Sequence, residues 1–255
     1  MTVHVEFNHI SHSYITDSGE PLQVLDDVSF SIDKSEFVAV LGPSGCGKST
    51  LLRLLAGLFQ PSAGEVSIYG NAVVEPQDGI GIVFQKPTLL PWLNVIDNVL
   101  FPIKHKSGWI SREFRQQAFE LLKMAGLEDF SSHMPDQLSG GMQQRVGIVR
   151  ALLLEPEILI MDEPFSALDA LSREEMGFEL LSLWHKKPKT VLFITHSISE
   201  AVLLADKVLV LSSRPARIAE SIEIKIPRPR NSESIHHPNF NQYTQAIREL
   251  IYQPA

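Results

Sequence analysis

The sequence predicts an α/β fold: a parallel-sheet core, an antiparallel β subdomain at the N-terminus and a helical subdomain inserted into the core. Three observations in its 255 residues carry this. Largely apolar runs recur at 37–41, 158–161, 190–194 and 207–211, and strands buried on both faces of a parallel sheet read this way. Stretches with helical spacing lie between them. The first 35 residues instead alternate apolar with polar side chains, the pattern of strands with one wet face.

Taken in order, Val3, Val5 and Phe7 and then Val28, Phe30 and Ile32 mark two antiparallel strands. Asp17-Ser18-Gly19-Glu20-Pro21 turns the chain between them. After the strand at 37–41, residues 51–58 have helical spacing, with Gly57 and Pro61 as stop signals. The character changes over 88–150. Here 112–124 is an amphipathic helix with Phe114, Ala118, Leu121 and Leu122 on one side, and Gly126 follows as its C-cap. A further helix is expected over 139–154. Buried strands then return, interleaved with helices at 170–186 and 198–205. An extended Ile226-Pro227-Arg228-Pro229-Arg230 link leads to a short helix near 240–252. The expected organisation is a domain over 1–230, with 88–150 inserted as the helical subdomain, and a tail over 231–255.

Composition narrows the function. The apolar fraction of 44% and charged fraction of 20% are those of a globular core. A net charge of −8 weighs against nucleic acid as a partner, which calls for a basic face. The one cysteine, Cys46, rules out an internal disulfide. No signal peptide is expected, and no apolar run reaches the length of a membrane span.

The chemistry is concentrated in short strings. Gly42-Pro43-Ser44-Gly45-Cys46-Gly47-Lys48-Ser49-Thr50 follows a predicted strand and opens a predicted helix, the context that a phosphate loop requires. Glycines let successive N–H groups turn inward around an anion, at the positive end of a helix. Lys48 is then placed for the β- and γ-phosphates of a nucleotide and Ser49 for Mg²⁺. The core is accordingly that of a P-loop NTPase. Asp162 ends the run at 158–161, where a carboxylate holds Mg²⁺ through its water shell, and Glu163 beside it can polarise a water. Ser139-Gly140-Gly141 forms a second phosphate-binding turn. A chain that already has a complete phosphate loop uses a second one to grip nucleotide held by another copy of itself, with ATP as the glue of a dimer.

Leu138-Ser139-Gly140-Gly141-Met142-Gln143-Gln144-Arg145 resembles the signature motif of the ATP-binding cassette (ABC) ATPases, and the other motifs of that family follow in its order over about residues 3–230. The resemblance implies that Tyr14 stacks on adenine and that Gln85 senses Mg²⁺ and the lytic water. It implies that Ser166-Ala167-Leu168-Asp169 is the family's D-loop, with Asp169 among the nucleotide-binding residues. Lys48, Gln85, Glu163 and His196 would then be catalytic, with Ser49, Gln85 and Asp162 around the metal. Residues 42–50 and the partner copy's equivalents of Ser139, Gly140 and Gly141 would hold ATP. Two departures are visible. Ser197 stands where many importers of the family have Asp, and Gly147 and Val149 interrupt a stretch that is usually Ala-rich.

The chain carries one copy of each motif and no long insertion, so a transporter subunit is favoured over a soluble mechanical ATPase, which stays as the alternative. With no span of its own, it would pair with separate membrane permease subunits, fed by an extracytoplasmic solute-binding protein, as a cytoplasmic homodimer on the inner face of the cell membrane. The wording of 86–92, 162–171, 213–218 and 226–230 resembles the nitrate, sulfonate and taurine importer group, which also includes transporters of thiamine-precursor pyrimidines. Trp92, Leu93 and the neighbouring 95–102 are expected to form an exposed apolar stretch that receives a permease helix.

Overall fold

The computed structural model describes residues 3–252. Its main sheet has the order β10-β9-β3-β8-β7-β6. Five strands run parallel, β3 (Phe37–Leu41), β6 (Ile80–Val83), β7 (Ile158–Asp162), β8 (Thr190–Ile194) and β9 (Lys207–Leu211). β10 (Ile218–Glu223) closes the edge antiparallel to β9. Every residue of β3 and β8 is buried, which is why their sequences show no alternation.

The second sheet has the order β2-β1-β4-β5 and is antiparallel. β1 (Val3–Ile15) and β2 (Pro21–Asp33) alternate as expected over Val5, Phe7, Val28 and Ile32, whereas Val3 is exposed. A shift of register between Phe7 and Ile10, with His9 at φ 51, resets which side chains face inward. β4 (Ala63–Ile68) and the two-residue β5 (Asn71–Ala72) complete the sheet.

α1 spans Lys48–Leu55, three residues earlier at each end than periodicity suggests. Its first turn is built from the phosphate loop itself, and Gly57 at φ +69 ends it. Between β6 and β7 lie α2 (Val95–Ser107), α3 (Arg112–Met124) and α4 (Gly140–Leu153). They pack Val99, Leu100, Ala118, Leu122, Val146 and Val149 into a cluster of their own. α4 also sends Ile148 and Ala151 into the core beneath the main sheet, so it bridges the two. The expected exposed stretch at 95–102 is corrected here. Val95, Val99 and Leu100 face the helical cluster and are fully buried, because the segment is the amphipathic start of α2; Trp92 alone is strongly exposed, at 69%, with Phe101 partly so.

α5 (Ala170–Lys186) and α6 (Ile198–Leu204) follow β7 and β8. Ser197 is the N-cap of α6, its hydroxyl accepting from the Glu200 N–H. Ser and Asp are both strong N-caps, so the Ser197 departure leaves the start of that helix intact. The 226–230 link clamps the other end of α6. Arg230, 5% exposed, donates to the carbonyls of Val202, Leu203 and Ala205, groups that a helix C-terminus leaves without partners. Burial, with Arg228 adding to it, lowers its pKa to about 10. Arg228 bonds Asp206 and lies 4.1 Å over the Trp184 ring. α7 (Pro238–Tyr252) then adds Phe240 and Ile247 to the core under the sheet.

Candidate functional site

The phosphate loop joins β3 to α1 at the C-terminal edge of the main sheet, where open α/β sheets bind their ligands. Gly47 is the N-cap of α1 at φ +119 with no side-chain cap, which leaves the first helical N–H groups facing the loop. A Cβ at Gly47 would come within 2.8 Å of both Leu25 and Val24, so only glycine lets β2 approach the loop here. Lys48 is buried, and its Nζ donates to the Gly42 and Pro43 carbonyls at 2.8 and 3.0 Å. That lays the ammonium across the mouth of the loop. Cys46 is buried, and burial raises its thiol pKa, the state of an unreactive sulfur.

The carboxylates arrive from β7, one strand beyond β8. Ser49 Oγ donates to Asp162 Oδ1 at 3.2 Å. Burial raises the Asp162 pKa, with the Ser49 bond opposing and the Glu163 charge adding to the rise. A cation beside this pair would favour the ionised form. The donors Ser49, Asp162 and the Gln85 amide are all hard oxygens, which suits Mg²⁺, so the residues present fit the expected metal.

Glu163 occupies a strained backbone position, φ 45, just past the end of β7, with its N–H on the Ile194 carbonyl at 2.8 Å. Strain of this kind in a non-glycine residue persists where neighbouring contacts fix it. One oxygen, Oε2, accepts from Gln85 Nε2 at 3.0 Å and lies 3.2 Å from His196 Nδ1. Two residues far apart in sequence, Gln85 and His196, therefore converge on the Glu163 carboxylate.

Tyr14 lies on the wall of a cleft of about 440 Å³ together with Gly45, Gly47, Lys48, Ser49, Thr50, Gln85 and Glu163. Its hydroxyl is bonded to Thr50 Oγ1. Periodicity and motif spacing did not single out two cations on the same wall, Arg53 and Arg214. Arg214 comes from the turn between β9 and β10, which docks on β2 through Ala216 N–H to the Val24 carbonyl and through an Arg217–Asp26 ion pair. The unusual wording at 213–218 was the available signal, and it proves to be a docking sequence that ends beside the cleft.

Ser139, Gly140 and Gly141 are elsewhere. They line a separate opening of about 500 Å³ with Arg145, Leu168 and Asp169, which shares no residue with the first. Ser139 is the N-cap of α4, accepting from Met142 N–H at 3.3 Å, and it is exposed. A Cβ on Gly141 would sit 2.5 Å from Leu168 Cδ2, so glycine permits the close approach of α4 to the 166–169 loop. Asp169 is the N-cap of α5, accepting from Leu171 and Ser172 N–H groups, which lowers its pKa.

The chain is similar to known proteins over most of its length. The family described as ABC transporter matches residues 25–166. The taurine import ATP-binding protein TauB of Rhizobium johnstonii is 45% identical, over 97% of this chain and 96% of that protein. The nitrate import ATP-binding protein NrtD of Synechococcus elongatus is 42% identical, over 98% of this chain and 92% of its own. Among solved structures, a dimeric ATP-binding cassette in a post-hydrolysis state, bound to ADP and Pi, aligns with a TM-score of 0.77 at 35% identity, covering 87% of this chain and 99% of that one.

Proposed function

The chain belongs to the ABC transporter family, and on that premise we propose that it is the ATP-hydrolysing subunit of a bacterial importer. The observation that carries this reading is the convergence of Gln85 and His196 on Glu163 beside the phosphate loop. Residues 1–230 are read as the ATPase domain, with 88–150 as its inserted helical part and 231–255 as a tail.

In the proposed mechanism Lys48 exchanges its two carbonyl partners for phosphate oxygens, and Tyr14 stacks on adenine. The loop residues Gly42, Pro43, Ser44, Gly45, Cys46, Gly47 and Thr50 shape the anion cradle. Ser49, Asp162 and Gln85 would hold Mg²⁺, which supplies neutralisation of charge on the phosphates. Glu163 accepts a hydrogen bond from the attacking water and aims it in line with the γ-phosphate. His196 turns from Glu163 to that phosphate. Gln85, at the junction with the helical subdomain, reports closure to the lytic centre. Catalysis of this type is mostly positioning and electrostatics.

Because the Ser139–Gly141 opening is separate and exposed, a second copy of the chain is the proposed owner of the nucleotide it grips. Two cassettes then close head to tail with ATP between them, and Asp169 meets the partner across the interface. No helix among the described residues is long and apolar enough to cross a membrane, so transport requires separate permease subunits. The taurine and nitrate importer relatives support a small anionic or zwitterionic solute; in this reading an extracytoplasmic binding protein delivers it and the chain sits on the cytoplasmic face of the membrane.

The test is capture of the Glu163→Gln protein from mild-detergent membranes of its host, followed by mass spectrometry. Recovery of a polytopic membrane subunit supports the importer. Recovery of soluble partners alone points to a mechanical ATPase instead.

A further inference from the structure

α6 follows His196 after its N-cap Ser197, and its first turn carries a largely buried carboxylate that the hydrolytic scheme does not use. The Glu200 side chain is only 12% exposed. Its Oε2 accepts from the Thr195 hydroxyl, which in turn accepts from the Ser197 N–H at 3.0 Å. The two residues flanking His196 are thus tied to one another and to Glu200. On its other side Glu200 Oε1 lies 3.6 Å from Arg173 Nε, on the first turn of α5. Arg173 Nη2 donates to the Leu168 carbonyl at 3.1 Å. Leu168 in turn is the side chain against which Gly141 is closely set.

We propose that Glu200 and Arg173 are positioning residues that lock His196 to the 166–169 loop and, through Leu168, to the Ser139–Gly141 turn. His196 serves the nucleotide on its own chain, whereas the turn serves the nucleotide of a second copy. The link therefore joins the two half-sites that each chain contributes to different nucleotides. A partly buried ion pair adds little net stability once desolvation and side-chain ordering are counted, so what this one contributes is geometry. Burial raises the Glu200 pKa, while the Thr195 bond and the Arg173 and His196 charges oppose the rise.

This inference rests on the ATPase reading above. Wild-type turnover and its loss in Glu163→Gln test that reading separately. The link is tested by a double-mutant cycle in the full chain, with Glu200→Gln, which keeps shape, and Arg173→Met, which keeps the aliphatic stem on a partly exposed side chain. ATP titrations give kcat and KM, and thermal melts give stability. Each single change is expected to lower kcat about 5- to 30-fold, inside the span of about 2- to 150-fold that coupled contacts in one network cover. KM for ATP should stay within about twofold, melting temperature within a few degrees, and the pair should be no slower than the slower single. An unchanged kcat in both singles, losses that multiply in the pair, or a loss that tracks falling melting temperature would overturn the proposal.

Discussion

The Tyr14 and Thr50 hydroxyls lie 3.0 Å apart, joining an N-terminal strand to the helix that starts at the phosphate loop. The Tyr14 ring also meets His12 edge-on at 4.8 Å and Phe59 at 5.9 Å. The antiparallel sheet is thereby fixed relative to the nucleotide cleft, with one aromatic face set by its neighbours. Tyr14→Phe keeps that ring and should leave KM for ATP within about twofold, since the hydroxyl serves the scaffold. Tyr14→Ala should raise KM about tenfold, because stacking of a base on an aromatic ring contributes about 1–3 kcal/mol. Equal effects of the two changes in an ATP titration would assign the contribution to the hydroxyl.

Trp92 is exposed on the loop before α2, while Val95, Val99 and Leu100 of the following segment face inward. A large aromatic left in solvent is a suitable anchor for a partner. Trp92→Ala should abolish solute uptake in reconstituted vesicles while basal ATP hydrolysis stays near wild type. A parallel fall in basal hydrolysis and melting temperature would place Trp92 in the fold instead.

Gly147 sits in the middle of α4, and a Cβ there meets nothing within 4 Å outside its own helix. Glycine in a helix interior costs about 1 kcal/mol relative to alanine. Gly147→Ala should therefore stabilise the chain by about 1 kcal/mol, raising the melting temperature about 2–4 °C for a chain of this size. A lower melting temperature would mean that α4 must flex or that its packing is tighter than it is here.

His4 and His12 are buried, and burial lowers both pKa values from the ordinary 6.5. Below pH 6.5 the unfolded chain takes up protons that the native state excludes, so these groups make stability fall as pH falls. The slope is at most about 1.4 kcal/mol per pH unit for each excluded proton. Glu179 and Glu200 act with the opposite sign, since burial raises their pKa values and the native state keeps their protons longer. The clean comparison is wild type against His4→Gln by urea unfolding at pH 7.5, 6.5 and 5.5. The wild type should lose more stability on acidification than the variant. A constant difference would mean that native His4 protonates freely.

The parallel core was legible because β3, β7, β8 and β9 are buried on both faces and so carry apolar runs that few other elements carry. β6 escaped notice because Gly81 interrupts its four residues, and β4 because it opens with Ala-Gly-Glu. α2 was hidden by Pro102 inside the helix and by a start that follows a Pro-Trp loop. The nucleotide-site strings were readable since backbone conformation and charge at each position admit few residue types. What joins Gln85, Glu163 and His196 is tertiary; it follows from the strand order that puts β7 beside β8. The roles of Arg230 and Glu200 were not legible at all, because each depends on groups brought together only when α6 is packed.

The central claim is that Glu163 drives hydrolysis of an ATP held between two copies of this chain. The measurement that reaches it most directly is size-exclusion chromatography of Glu163→Gln with ATP and Mg²⁺, alongside a turnover assay. The account predicts a stable dimer with bound ATP and a turnover reduced by at least about a thousandfold, the scale on which loss of a key catalytic group acts. Lys48→Ala should give neither bound nucleotide nor dimer. A Glu163→Gln protein that stays monomeric with ATP bound, or one that hydrolyses ATP near the wild-type rate, would contradict it.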